Sequence, residues 1–102
     1  LCEAIRSDPL ESPLVVWFNG GPGASSFIGF LLENGPYILD ANTDTLRYND
    51  FSWNQVNANV LYLESPSGSG FSHSDHQILD DNMTAELNMK VLEEFKTRLT
   101  PH

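Results

Sequence analysis

The chain is nearly devoid of cysteine. Cys2 is the single one in 102 residues, so no disulfide within the chain is possible, and cysteine usage says nothing about its redox compartment. Basic residues are scarce as well: five Lys and Arg stand against 14 Asp and Glu, a formal net charge of −9. There is no basic patch to meet phosphates, which argues against nucleic acid and anionic membranes as partners. No apolar run reaches the ~18 residues of a membrane span. No signal-peptide pattern is present. The first residues, Leu1-Cys2-Glu3-Ala4-Ile5, are strand-like, which leaves room for a signal upstream.

What is present points to a folded segment. The acidic residues are scattered rather than blocked, and 40% of residues are hydrophobic, which disfavours a disordered acidic tail. The length is that of one small domain. Two strong strand signals are predicted, at 14–18 and 59–63, the first apolar on both faces like a central strand of a parallel or mixed sheet. Residues 7–13 read as a polar hairpin loop. Short strands are predicted at 37–39 and 46–48 around the turn Asp40-Ala41-Asn42-Thr43-Asp44. Phe51 and Trp53 flank Ser52 and read as core residues. Residues 65–74 form a serine- and glycine-rich loop. Residues 83–100 predict an amphipathic helix with Leu87, Val91, Phe95 and Leu99 on one stripe. Asp80, Asp81 and Glu86 favour its start, Lys96 and Arg98 its end, and Pro101 follows. Strands separated by helices argue an α/β class.

The most informative stretch is Asn19-Gly20-Gly21-Pro22-Gly23-Ala24-Ser25-Ser26, between the first strand and the apolar run Phe27-Ile28-Gly29-Phe30-Leu31-Leu32-Glu33. Strand, glycine-rich turn and helix start can present backbone N–H groups to an anion. A tight turn without chemistry has the same features. Ser25 or Ser26 suits the helix N-cap. The helix is apolar nearly all round and should be buried. It stops at Asn34-Gly35-Pro36, with Gly35 suited to a left-handed cap. Trp17 and Asn19 are two apart and share a strand face. Glu33 sits against the helix dipole, seven residues after Ser26 and on the same α-helical face. It is either a functional acid or a solvated helix end. His73 and His76, with Asp75 and Asp80, lack a defined third ligand, so no metal and no cofactor are expected. Asn82-Met83-Thr84 is an N-glycosylation sequon, meaningful only in a secreted chain.

Three blocks together carry a resemblance. Trp17 to Ser26 with Glu33-Asn34-Gly35-Pro36 is the first. Ser52-Trp53-Asn54 with Ala58-Asn59-Val60-Leu61-Tyr62-Leu63-Glu64-Ser65-Pro66-Ser67-Gly68-Ser69-Gly70-Phe71-Ser72 is the second, and Asp81-Asn82-Met83-Thr84-Ala85-Glu86-Leu87-Asn88 the third. In order and spacing they resemble the serine carboxypeptidase family of the α/β-hydrolase fold. The resemblance implies that residues 1–102 are an N-terminal part of that domain, a mixed sheet with flanking helices, incomplete.

The fold normally carries its serine on a Gly-x-Ser-x-Gly elbow, and none is found here: Ser69 lies between Gly68 and Gly70, but Ser67 stands where the pattern needs glycine. The resemblance places the whole Ser, Asp, His triad downstream, so the chain alone is expected to be inactive and to need the remainder of the enzyme. It also implies that the backbone N–H of Gly21 is an oxyanion-hole donor. Asn19, the backbone of Gly20, and Glu33 would hold the C-terminal carboxylate of a peptide substrate, with Trp17 as a wall. Glu33 can face an anion only as the neutral acid, or while sharing a proton with another carboxyl. The implied function is release of C-terminal amino acids through an acyl-enzyme. Alternatives are an acyltransferase of the same family, or a truncated non-catalytic product. The implied setting is the secretory pathway, vacuolar, lysosomal or extracellular, with Asn82 glycosylated. Two departures stand out. Ala24 occupies a position where many members have a disulfide-forming cysteine, and the tail from Phe95 drifts from the family pattern.

Overall fold

A computed structural model describes residues 1–40, 42–75 and 80–99 of the chain. His76 as a metal ligand, Ala41 in the hairpin turn, the Leu99 side chain of the helical stripe and the helix stop at Thr100 and Pro101 lie outside the described part.

Strand β1 (Leu14–Trp17) pairs in parallel with β4 (Asn59–Tyr62), in the register Leu14 with Asn59 through Trp17 with Tyr62. The opposite edge of β4 is met by Cys2, antiparallel, through a reciprocal pair of 2.8 Å bonds with Val60. The sheet is therefore mixed, and β4, not β1, is its centre. Val60 is completely buried, and Ala4, Ala58 and Leu61 complete the small apolar core. Among the described residues β1 has a neighbour on one side only. That corrects the reading of 14–18 as a central strand: apolarity on both faces marks the need for cover, and here Leu14 and Phe18 are still exposed.

Two buried asparagines hold the first thirteen residues onto the sheet. The Asn59 side chain accepts the Ala4 N–H at 3.0 Å and donates to the carbonyls of Pro9 and Ser12 at 2.8 and 3.1 Å. Asn54 donates to the Glu3 carbonyl through its side chain at 3.1 Å, and its own carbonyl accepts the Ile5 N–H. The opening segment thus joins β4 rather than forming a strand hairpin with β1. Residues 8–12 do turn, with Asp8 as the local acceptor.

Strands β2 (Tyr37–Asp40) and β3 (Thr45–Tyr48) form the expected antiparallel hairpin, pairing Tyr37 with Tyr48 and Leu39 with Leu46. Asp44 takes a left-handed conformation in its turn, at φ 48°, as acidic and amide side chains tolerate. A short 3₁₀ turn, Trp53–Gln55, follows. Phe51 is 91% exposed and Trp53 is also exposed, so neither is the core residue expected; Ser52 between them is the buried one.

Helix α1 (Asp81–Leu99) begins two residues earlier than predicted. Asp80 is its N-cap: Oδ1 accepts the Met83 N–H at 2.8 Å, satisfying a donor that the first turn leaves unpaired. Leu87 and Phe95 are partly covered as expected, but Val91 is exposed. The inward face is rotated to include Thr84, Asn88 and Leu92, because Asn88 Oδ1 accepts the hydroxyl of buried Ser65 at 2.8 Å and fixes which side meets the loop.

Candidate functional site

Parallel neighbours bring their C-terminal ends to the same edge of a sheet, and the segments leaving those ends meet there. After β1 comes the glycine-rich turn; after β4 comes Leu63-Glu64 and the serine- and glycine-rich loop. They are tied together by two serines. Ser26 is buried; its hydroxyl donates to the Leu63 carbonyl at 2.5 Å and accepts the Asn19 N–H at 3.2 Å. Ser25 Oγ donates to Glu64 Oε1 at 2.6 Å and accepts the Phe27 N–H at 3.2 Å. Of the two cap candidates, Ser25 therefore serves the helix start. Ser26 spans to the second strand.

Sequence reasoning misses Glu64 as a residue of this edge. Its signal is a place immediately after a strand parallel to β1, which is visible only once the pairing is known. Its Oε2 is buried and has no hydrogen-bond partner among the described residues. Gly70, at φ 56°, packs so closely that a Cβ there would lie 1.7 Å from that oxygen. Ser69 is buried in the same loop.

The Trp17 and Asn19 side chains meet as their spacing predicts. Trp17 Nε1–H donates to Asn19 Oδ1 at 2.8 Å, and the Gly29 N–H donates to the same oxygen at 3.1 Å. Two donors on one oxygen fix the amide orientation, since the flipped form would oppose N–H to N–H. The Asn19 NH₂ group is left without a partner among the described residues. Gly29 permits this approach: a Cβ there would sit 2.2 Å from Trp17 Nε1 and 2.9 Å from Asn19 Oδ1. The other face of Trp17 is walled by Trp53, edge to face at 5.2 Å.

Gly20 and Gly21 are exposed, and among the described residues their N–H groups have no hydrogen-bond partner. Gly21 lies at φ 136°, a conformation that a side chain disfavours. The exposed N–H groups and the Asn19 amide form a donor-rich edge, with no Lys or Arg in the turn.

Past the turn the chain winds as a π-helical turn, Gly29–Glu33, closed by the Asn34 N–H to the Gly29 carbonyl at 2.9 Å. Three expectations change. The wide winding breaks the α-helical count that sets Glu33 on the face of Ser26. The segment is also not buried: Phe27, Ile28 and Leu32 are exposed and Gly29 is the buried residue within the turn. Gly35 is not left-handed; it is required because a Cβ would come 1.9 Å from the Phe30 carbonyl oxygen. Glu33 is exposed and makes no hydrogen bond or ion pair among the described residues. Asn34 beside it is buried, and its Oδ1 accepts the Tyr62 hydroxyl at 2.9 Å. Burial, and secondarily the charge Cys2 would carry, pushes the Tyr62 hydroxyl pKa upward. Burial also raises the Cys2 thiol.

His73 and Asp75 approach at 3.3 Å on the surface. Among the described residues no cluster of three or more His, Cys, Asp and Glu is arranged to hold a metal, and no helix is long and apolar enough to cross a membrane. Asn82 is exposed in the first turn of α1.

A mixed sheet whose strand ends carry a donor-rich turn, followed by helix, is part of an α/β fold. The structure superposes on that of Kex1Δp, a prohormone-processing carboxypeptidase from Saccharomyces cerevisiae, with a TM-score of 0.68 and 32% identity, over 86% of this chain and 20% of that one. The family model for serine carboxypeptidases matches residues 1–102, and the chain belongs to that family. It is 48% identical over 92 residues to the lysosomal protective protein of Mus musculus, covering 88% of this chain and 19% of the relative. It is 47% identical over 75 residues to carboxypeptidase Y homolog A of Aspergillus oryzae, covering 74% and 14%. The chain thus spans about a fifth or less of the relatives it matches.

Proposed function

We propose that residues 1–102 supply the carboxylate-binding and oxyanion-binding part of a serine carboxypeptidase that releases C-terminal amino acids from peptides through an acyl-enzyme. The observation that carries this is the fixed Asn19 amide. Its oxygen is occupied by Trp17 and Gly29, which leaves its NH₂ group for a ligand; among the described residues neither that group nor the N–H groups of Gly20 and Gly21 has a partner. Such a set suits a substrate's terminal carboxylate, which Asn19 and the Gly20 N–H would hold, with Trp17 as the wall. Glu33 completes the site as a neutral acid donating a proton to the carboxylate, or sharing one. The Gly21 N–H faces the carbonyl under attack and stabilises the tetrahedral oxyanion; donors of this kind are worth about 10²–10³ in rate. The serine nucleophile, its histidine and its aspartate come from the remainder of the enzyme, and residues 1–102 alone are inactive.

Relatives include a lysosomal protein by name, and we place this chain in the secretory pathway, lysosomal, vacuolar or extracellular, with Asn82 glycosylated. Its partner is the C-terminus of a peptide. No cofactor takes part in this reading.

The test compares free-acid and amidated peptides on the full-length enzyme. Glu33→Ala is expected to raise the Michaelis constant for free-acid peptides, a loss of roughly 1–3 kcal/mol, and to affect amidated ones far less. Equal losses on both would make Glu33 merely structural and overturn its role.

A further inference from the structure

We propose that Tyr62 and Asn34 are positioning residues that set the separation between the two sides of the carboxylate site, Asn19 on one and Glu33 on the other. This rests on the reading of Glu33 as a carboxylate-binding acid. A clamp for one small anion needs both jaws at a fixed distance. The Asn19 jaw is held by Trp17 and Gly29. The Glu33 side chain has no bond of its own among the described residues, so its position is inherited from the backbone.

That backbone is held through the next residue. Asn34 makes three bonds to three separate parts of the chain. Its N–H closes the π-helical turn on the Gly29 carbonyl at 2.9 Å, and its carbonyl accepts the Trp53 N–H at 3.0 Å. Its Oδ1 accepts the Tyr62 hydroxyl at 2.9 Å. One residue further, the Gly35 carbonyl accepts from Asn49 Nδ2 at 2.8 Å, and the Phe30 carbonyl leaves no room for a side chain. The backbone after Glu33 has little freedom to shift.

Tyr62 is the link that joins the two jaws. It pairs in register with Trp17 across β1 and β4, so both side chains project from the same face of the sheet. Its ring packs edge to face on Phe30 in the π-helical turn, at 5.3 Å. The hydroxyl reaches Asn34 and the ring reaches the turn, while the backbone is fixed to the strand that carries Trp17. Of the bonds that hold Asn34, this is the one made to the strand paired with Trp17, so its loss loosens Glu33 relative to Asn19 without touching either.

The experiment uses the full-length enzyme and measures KM and kcat on a free-acid peptide and its amidated form. Tyr62→Phe keeps the ring packing and removes the hydroxyl. It is expected to raise KM for the free acid roughly three- to tenfold, with kcat nearly unchanged and the amidated peptide barely affected. Asn34→Leu, which removes the acceptor for the hydroxyl, should resemble Tyr62→Phe. In a Glu33→Ala background, Tyr62→Phe should add no further loss. If Glu33→Ala is selective against free acids while Tyr62→Phe is neutral or affects both peptides alike, positioning is overturned and the carboxylate reading survives. If Glu33→Ala itself is unselective, both fall.

Discussion

The strand-end region and helix α1 are held together in opposite ways. Around β1 and β4 the bonds run between residues far apart in sequence: Ser25 to Glu64, Ser26 to Leu63, Asn34 to Tyr62, Ala4 to Asn59. In α1 they are local. Asp80 caps Met83, Thr97 donates to the Glu93 carbonyl, and Arg98 pairs with Glu94 at 2.7 Å. A side-chain bond from α1 to the rest joins Ser65 to Asn88. Polar cross-links between distant segments fix relative positions, which a binding site requires; local bonds fix only a helix's own shape. The same sequence therefore ties one region together across the chain and leaves the other to hold its own shape.

The sharpest break in that contrast is a methyl group at Gly35. Its Cβ would lie 1.9 Å from a backbone oxygen that has no room to yield, so Gly35→Ala should cost on the order of 3 kcal/mol or prevent folding. A shift in denaturant midpoint of the full-length protein measures it. The counterpart in α1 is Asp80→Ala, which removes only an exposed cap and should cost about 1 kcal/mol. If the two were equally tolerated, the close approach of Gly35 to the Phe30 carbonyl would not be what fixes the chain after Glu33.

Raising the pH sharpens the same comparison more gently. Tyr62 is neutral when bonded to Asn34, and its pKa in the folded state lies above the ordinary value of 10.0. A raised folded-state pKa means that the hydroxyl's contribution is complete below about pH 10 and is lost progressively as the pH rises toward the folded-state value. Stability of the full-length protein should therefore decline above about pH 10. Tyr62→Phe should start lower and decline less. An identical decline in both proteins would assign the loss to other groups.

Much of this architecture is legible without coordinates. The two main strands, the hairpin and the long helix lie where periodicity and turn residues put them. The Trp17 and Asn19 pairing follows from period two alone. What escapes is decided by distant neighbours. Nothing local to Leu14-Val15-Val16-Trp17 says that it is an edge, since that depends on what else pairs with it. The π-helical winding is imposed by Asn34 being held from Tyr62 and Trp53, 28 residues away in the first case, so counting by 3.6 misplaces Glu33 relative to Ser26. Gly35 looks like a left-handed cap because glycine usually is one there, whereas a close backbone approach is the actual demand. Val91 falls outside the covered stripe because a polar bond at Asn88, not apolarity, sets the rotation of α1.

The central claim is that the Asn19 amide and the Gly20 N–H receive a terminal carboxylate. It is tested most directly by a crystal structure of the full-length protein with a product amino acid or short free-acid peptide bound. The account predicts carboxylate oxygens about 3 Å from Asn19 Nδ2 and from the Gly20 nitrogen, with Asn19 Oδ1 still held by Trp17 and Gly29. A carboxylate bound elsewhere, with the Asn19 amide turned away from it, would contradict the account.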